Sequence, residues 1–251
     1  MRIISYNIQG VYTDKERLNL LCNDIKKMIK STDIFIFQEV FISNYSIIQE
    51  YIFSDQDSII KSVFTKNWKY YEMKPPKYNI FKISGGVLIF YNSNKIKQDI
   101  IFSEHVFEDS NFPDSLSQKG YIEMYLKKDN IRIIGTHLQD SKYDKEGKTR
   151  IKQMEQITGS LNNDCKTIII GDFNIDLNKI YTDEYNCIYL KKYLDSLKKN
   201  KGINIYKSID STNDKNNIYD FLMTKNIDYN VEVKVLKEYR HSDHYPIYVV
   251  I

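Results

Sequence analysis

The sequence predicts a mixed α/β (α+β) fold: two stacked β-sheets covered by helices. Three observations lead there. Eleven short runs are rich in β-branched and aromatic residues, amphipathic helical stripes separate only some of them, and no repeat, linker or composition break divides the 251 residues. One domain over residues 1–251 is therefore expected.

The strand-like runs, in order, are "RIISYN", "DIFIFQEV", "WKYYEM", "GGVLIFYN", "QDIIFSEHVF", "GYIEMYL", "IRIIGTHL", "TIIIGDF", "IYDFLMT", "VEVKVLKEY" and "YPIYVVI". Pro75-Pro76 marks a loop between the third and fourth. Thr13-x-x-Glu16 reads as a capping box that opens a helix striped by Leu18, Leu21, Ile25 and Met28. A second helix spans about Thr149 to Leu161, with Ile151, Met154 and Ile157 on its stripe. A third follows Thr182, with Cys187, Leu190, Leu194 and Leu197 buried, acids in its first turn and lysines in its last. Such stripes are core faces and carry no chemistry.

Composition narrows the function classes. Hydrophobic residues make up 42% and charged residues 27%, with no apolar run long enough to cross a bilayer, so contact with membranes would be peripheral. The opening "MRIISYNIQG" has too short an apolar run for a signal-peptide core, which gives a cytoplasmic expectation. Three cysteines, Cys22, Cys165 and Cys187, are an odd count without metal-type spacing and read as small buried hydrophobes kept reduced. A net charge of +3 does not demand a nucleic acid, and the cluster "LKKYLDSLKKNKG" suits the negative end of a helix dipole.

The informative pattern lies where the apolar runs stop. "RIISYN" ends at Asn7, "DIFIFQE" at Glu39, "IRIIGTH" at His137, and "TIIIGDFN" at Asp172 and Asn174. Asp220 sits within "IYDF", and Asp243 and His244 precede the last strand. Each alone is explained by a turn cap or a satisfied structural histidine. Together they would converge on one rim if their strands share a sheet edge, where open α/β sheets place their sites. Carboxylates, amides and histidines in one cleft suit phosphodiester hydrolysis, which needs charge neutralisation, an aligned water and help for the leaving oxygen. Hard oxygen donors suit Mg²⁺ or Mn²⁺, and Cys/His clusters of the zinc type are missing.

These motifs resemble those of the endonuclease/exonuclease/phosphatase superfamily, the deoxyribonuclease-I-like fold. "SYNIQG", "FQEV", "GTHL", "GDFN", "YDF" and "SDHYP" stand in that superfamily's order over essentially the whole chain. "DSLSQKGYIEM", "IRIIGTHLQD", "TRIKQMEQI", "QEVF" and "GGV" are similar to the neutral sphingomyelinases, which cleave sphingomyelin to ceramide and phosphocholine. The resemblance implies a four-layer sandwich of two mixed sheets flanked by helices. It implies Mg²⁺, with Mn²⁺ or Co²⁺ as substitutes, held by Glu39 with support from Asn7 and with Asp243 nearby. Asp172 would activate water, Asn174 hold the phosphate or nucleophile, His244 act under orientation by Asp220, and His137 contact phosphate. The implied partner is a phosphodiester, foremost a choline phospholipid headgroup met by a monomer at a membrane surface.

Two departures stand beside it. The stretch from Asp220 to Ser242 is short and lacks the tryptophan-bearing hairpin of secreted bacterial sphingomyelinases, and Ser208-Ile209-Asp210 occupies the place of the superfamily's Thr-Trp-Asp. A nuclease or DNA-end-processing phosphodiesterase is the alternative, and a non-catalytic binding module the third reading. Ser242-Asp243-His244 superficially spells a serine-hydrolase triad, but adjacent residues of an extended chain point to opposite faces, so Ser242 is expected to serve only a turn.

Overall fold

The computed structural model describes residues 1–11, 14–76, 83–182, 187–227 and 230–251. Among these residues are twelve strands in two six-stranded sheets. The first sheet is built from β1 (Arg2–Asn7), β2 (Ile34–Gln38), β3 (Trp68–Glu72), β4 (Leu88–Asn92), β11 (Glu232–Val235) and β12 (Ile247–Val250), in the order β11-β12-β1-β2-β4-β3. The second holds β5 (Ile100–Val106), β6 (Gly120–Leu126), β7 (Ile131–His137), β8 (Lys166–Asp172), β9 (Ile203–Tyr206) and β10 (Asp220–Lys225), in the order β5-β6-β7-β8-β10-β9. Each sheet has a parallel pair at its centre, β1/β2 and β7/β8, flanked by antiparallel neighbours. Both sheets are therefore mixed, and each delivers two central strands with their C-terminal ends on the same edge.

Alternation along the strands makes the layers. Ile3, Ile34, Ile36, Ile133, Ile168, Ile170, Leu222 and Val249 fill the space between the sheets. The intervening residues Ile4, Phe35 and Phe37 face outward and pack under α1 (Lys15–Met28) and α3 (Gln56–Val63) through Leu18, Leu21, Ile25 and Ile60. On the far side Ile134, Ile169, Phe221 and Met223 pack against Met154 and Ile157 of α4 (Lys148–Gly159) and Leu190, Leu194 and Leu197 of α5 (Ile188–Lys201). Each such side chain, fully buried, is worth about 1.5–3 kcal/mol. The result is the four-layer order helix, sheet, sheet, helix.

The sheets meet closely at Gly135, where an added Cβ would lie 2.5 Å from Cγ2 of Ile36. One polar pair sits between them: Nε2 of Gln38 donates to Oγ of Ser5 at 3.0 Å.

Several local expectations shift. Thr13 lies outside the described residues, and the helix it was expected to cap is capped by Asp14, whose carboxylate accepts from the Arg17 amide at 2.7 Å. Leu161 falls beyond the end of α4, although it still packs against the core. The acids expected in the first turn of α5 fall on 183–186, outside the described residues; α5 opens at Ile188 after Cys187, with Lys198, Lys199 and Lys201 in its last turn. Strand β9, "INIY", and the short helices α2 (Ser46–Tyr51) and α3 went unread because runs of four to eight residues carry too few periods to declare themselves. The three cysteines are buried free thiols. Among the described residues no helix is long and apolar enough to cross a membrane.

Candidate active site

Strand register brings the polar ends together. In the second sheet His137 pairs with Asp172, and Asp172 pairs in turn with Asp220, so three adjacent strands present three ionisable groups in one row. In the first sheet Asn7 pairs with Gln38, and Glu39 follows directly. The two rows face each other across the inter-sheet gap. Nδ2 of Asn7 spans it, donating to Oε1 of Glu39 and to Oδ2 of Asp172, both at 3.0 Å.

Glu39 is held in an uncommon backbone conformation, with φ +63°, as are Gln9 (+52°) and Asn174 (+53°). Left-handed backbone at residues other than glycine is costly and clusters at functional sites. Here the strain is offset locally. The Gly10 amide donates to Oε2 of Glu39 at 3.1 Å, the Gln9 amide to Oδ1 of Asn7 at 3.0 Å, and the Asn174 amide to Oδ1 of Asp172 at 2.8 Å. Gly10 must be glycine, since a Cβ would lie 1.8 Å from the Glu39 carbonyl.

Two histidines flank the buried Asp172 carboxylate. Nε2 of His137 lies 3.7 Å and Nε2 of His244 3.8 Å from its Oδ2. Nδ1 of His244 meets Oδ2 of Asp220 at 2.7 Å. Their charge states diverge. Burial opposes a charge on His244, but Asp220 and Asp172 outweigh it and hold the ring well above its ordinary pKa. Burial, Lys119 and His244 all push His137 well below. Asp172 is raised, to about 7, chiefly by burial and further by Asp220, against the pull of His244. Burial also raises Glu39.

Glu39, His137, Asp172, Asn174, Asp243 and His244 all line one cleft of ≈ 400 Å³. With Asn7 and Asp220 bonded behind them, all eight residues singled out from the sequence come together. Ser242 does more than shape a turn: its hydroxyl donates to the Asn7 carbonyl at 2.7 Å and accepts from the His244 amide at 3.3 Å. It is not aimed at the His244 ring. Asp210 of "SID" is elsewhere, exposed and paired with Lys237 at 2.8 Å.

Some contributors were missed. Lys119 is a buried ammonium that reaches Asp114 at 2.7 Å, Nε2 of His137 at 3.2 Å and the Leu138 carbonyl at 2.9 Å. The motif "SQKGY" contains it, and an ammonium just before a buried strand was the available signal. Arg17 of α1 donates to the carbonyls of Ile8 (3.1 Å), Gln9 (2.6 Å) and His241 (2.8 Å), tying the loop after β1 to the loop that carries His244. Its partners are backbone groups distant in sequence, which no pattern reveals. Fully buried Arg150 likewise braces Asn174, whose carbonyl accepts from its guanidinium.

Among the described residues, Asp172, Asp220 and His244 place one ligand atom each within 4.8 Å of one another and could hold a cation. Oδ2 of Asp220 and Nδ1 of His244 are, however, bonded to each other. Glu39 offers a better-suited oxygen pair: a half-buried carboxylate whose hydrogen-bond partners, Asn7 and Gly10, are neutral.

No curated protein matches the sequence. Among solved structures, beta toxin from Staphylococcus aureus is similar with TM-score 0.73 and 19% identity over 100% of this chain and 99% of that one. A mutant beta toxin from the same organism with bound magnesium ions has TM-score 0.69 and 19% identity, covering 99% and 98%. Sphingomyelinase C from Streptomyces griseocarneus has TM-score 0.66 and 14% identity, again covering 99% and 98%. These likenesses establish the two-sheet, deoxyribonuclease-I-like sandwich. Residues 4–244 match the Endonuclease/Exonuclease/phosphatase family, and the chain belongs to that family.

Proposed function

We propose that this protein is a divalent-metal-dependent phosphodiesterase that hydrolyses sphingomyelin to ceramide and phosphocholine by in-line attack of water. The observation that carries the reading is the Asp172 carboxylate, flanked by His137 and His244 at 3.7 and 3.8 Å and linked to Glu39 through Asn7. Family membership supports phosphodiester chemistry, and a sphingomyelinase among the similar structures supports the lipid.

The donor set fits a hard cation. Glu39, with Asn7 and Asp243, would hold Mg²⁺, or Mn²⁺ or Co²⁺ in its place, since all offer oxygen and Glu39 is a half-buried carboxylate whose hydrogen-bond partners are neutral. When bound, the ion neutralises phosphoryl charge and stabilises the leaving oxygen. Asp172 orients the attacking water and accepts its proton, for which a pKa raised to about 7 is matched to neutral pH. Asn174 orients the nucleophile or phosphate. His244, held cationic by Asp220, donates to a phosphoryl oxygen. His137 is neutral, and Lys119 adds positive charge beside it.

Lys119, Lys142 and Lys215 all line the cleft, and they favour a second reading, a nuclease that meets a polyanionic backbone. One experiment separates the two. Purified protein is incubated with Mg²⁺ and either sphingomyelin micelles or abasic, nicked and 5′-blocked DNA. Phosphocholine release that stops with chelator and with Asp172→Ala is the expected result; cleavage of DNA alone would replace the lipid reading.

A further inference from the structure

We infer that one lip of the cleft is a lipid-docking ledge, formed by Phe112 and Tyr143 with Ile188, Tyr189, Lys142 and Lys145 beside them. The inference rests on the lipid reading of the same cleft and names the surface that would present it to a bilayer.

The ledge consists of two stitched loops. The Asn111 amide donates to Oε1 of Gln139 at 2.8 Å, its Nδ2 to the Tyr143 carbonyl at 2.9 Å, and the Asp140 amide to Oδ2 of Asp114 at 2.8 Å. Asp114, Asp140 and Lys142 line the cleft itself, so residues next to them in the chain stand at its mouth. Yet this fixed frame exposes large apolar groups. Phe112 is 72% exposed and Tyr143 40%, while Ile188 and Tyr189 at the start of α5 are each 59% exposed. The Cys187 thiol donates to the Lys145 carbonyl at 2.7 Å, which joins the start of α5 to the same loop.

Charge selects the occupant. Among the described residues neither Lys142 nor Lys145 has a carboxylate partner, and Nζ of Lys142 lies 5.1 Å from the Tyr143 ring centre. Exposed aromatic rings interleaved with lysines free of carboxylate partners match the two halves of a bilayer interface, acyl chains below and anionic headgroups above. Within the stretch after Asp220, Glu232–Val235 are paired into the edge of the first sheet as β11.

The test uses the intact protein with chelator present, so that no lipid is turned over. Co-sedimentation is measured on vesicles of phosphatidylcholine and sphingomyelin, with and without phosphatidylserine. Binding is expected to strengthen with phosphatidylserine and to weaken about tenfold for Phe112→Ala. Phe112→Trp should retain binding, and its indole emission should shift to the blue on vesicles, against a native Trp68 that is already buried. Hydrolysis of soluble bis(p-nitrophenyl) phosphate should be unchanged in both variants. Wild-type protein that binds no vesicles, or Phe112→Ala that binds them as well as wild type, overturns the ledge. So does a Phe112-dependent dimer in solution, which would assign the patch to a second copy. Vesicle binding by a protein that never hydrolyses sphingomyelin would leave the ledge standing and remove the substrate reading instead.

Discussion

Oδ2 of Asp220 lies 2.7 Å from Nδ1 of His244, so the cleft histidine is oriented by a carboxylate from a different strand and not by its neighbours in Ser242-Asp243-His244. Replacing that carboxylate removes both the orientation and the charge that keep the ring cationic. Asp220→Asn is expected to lower kcat by roughly 10²–10⁴-fold. Ser242→Ala should act differently, because its hydroxyl is spent on the Asn7 carbonyl. It should cost about 1 kcal/mol of stability and leave kcat within about tenfold of wild type. Steady-state kinetics beside urea denaturation checks both, and the reverse ranking in kcat would restore the serine as nucleophile.

The strand ends make this arrangement legible in the sequence itself. Asn7, His137 and Asp172 terminate apolar runs, and parallel central strands put such ends on one edge. What sequence could not supply was pairing between distant strands, which sets Asp220 opposite Asp172, and the left-handed turn that aims Glu39. The Lys-Gly before β6 stands out in the sequence, but the place of Lys119 in the cleft does not, for a related reason. A lysine before a strand usually faces water, and only tertiary packing decides that this one is buried on Asp114 and His137. The short strand β9 and helices α2 and α3 follow the same rule, being stabilised by what they pack against more than by their own periodicity.

Metal binding by Glu39 and its neighbours should compete with protons. Burial raises both Glu39 and Asp172 above ordinary carboxylate values, Asp172 to about 7, so in the metal-free protein a fraction of Asp172 is protonated near neutral pH. A cation requires them ionised, and binding therefore releases protons. Mg²⁺ or Mn²⁺ affinity, measured calorimetrically in two buffers of different ionisation enthalpy, should rise between about pH 6 and pH 8. Asp172→Asn should flatten that rise, and Glu39→Gln should abolish binding. An affinity independent of pH in the unmodified protein would contradict the assignment.

The glycine of "GDFN" should be less replaceable than the glycine of "GTHL". At Gly171, φ +154°, an added Cβ would lie 2.0 Å from the Thr136 carbonyl oxygen, a backbone atom fixed in the sheet. At Gly135 the obstacle is the γ2-methyl of Ile36 at 2.5 Å, a side-chain atom and not sheet backbone. Gly135→Ala should cost about 1–3 kcal/mol as simple overpacking. Gly171→Ala should exceed it, by separating β7 from β8 where both carry site residues. Chemical denaturation of both variants decides, and equal losses would refute the distinction.

Acid should weaken the fold partly through Asp33. Partial burial would raise this carboxyl, but hydrogen bonds from Arg2 and Lys95 outweigh it and hold it below the ordinary value. Because the folded pKa is the lower one, the stabilisation is fully present above the unfolded value of about 4 and is lost as pH falls through the folded value. Asp33→Asn should therefore destabilise the protein at neutral pH by an amount that shrinks on acidification. A gap that stays constant down to about pH 2 would show that the asparagine fails for reasons other than charge.

Arg17 offers the clearest separation of positioning from chemistry. Its guanidinium donates to the Ile8, Gln9 and His241 carbonyls, which belong to the loop that follows Asn7 and the loop that carries His244. Asn7 in turn bonds both Glu39 and Asp172, so a loosened clamp would let the metal side and the histidine side of the cleft drift apart. Arg17 touches no reacting atom, and its loss should not alter how substrate is recognised. Arg17→Gln is expected to lower kcat by about 10–100-fold with little change in KM. Arg17→Lys should recover only part of it, because an ammonium cannot reproduce a planar fork spanning two loops. A purely structural role would instead lower the urea midpoint and leave kcat of the folded fraction unchanged, so kinetics well below the unfolding temperature distinguish the two.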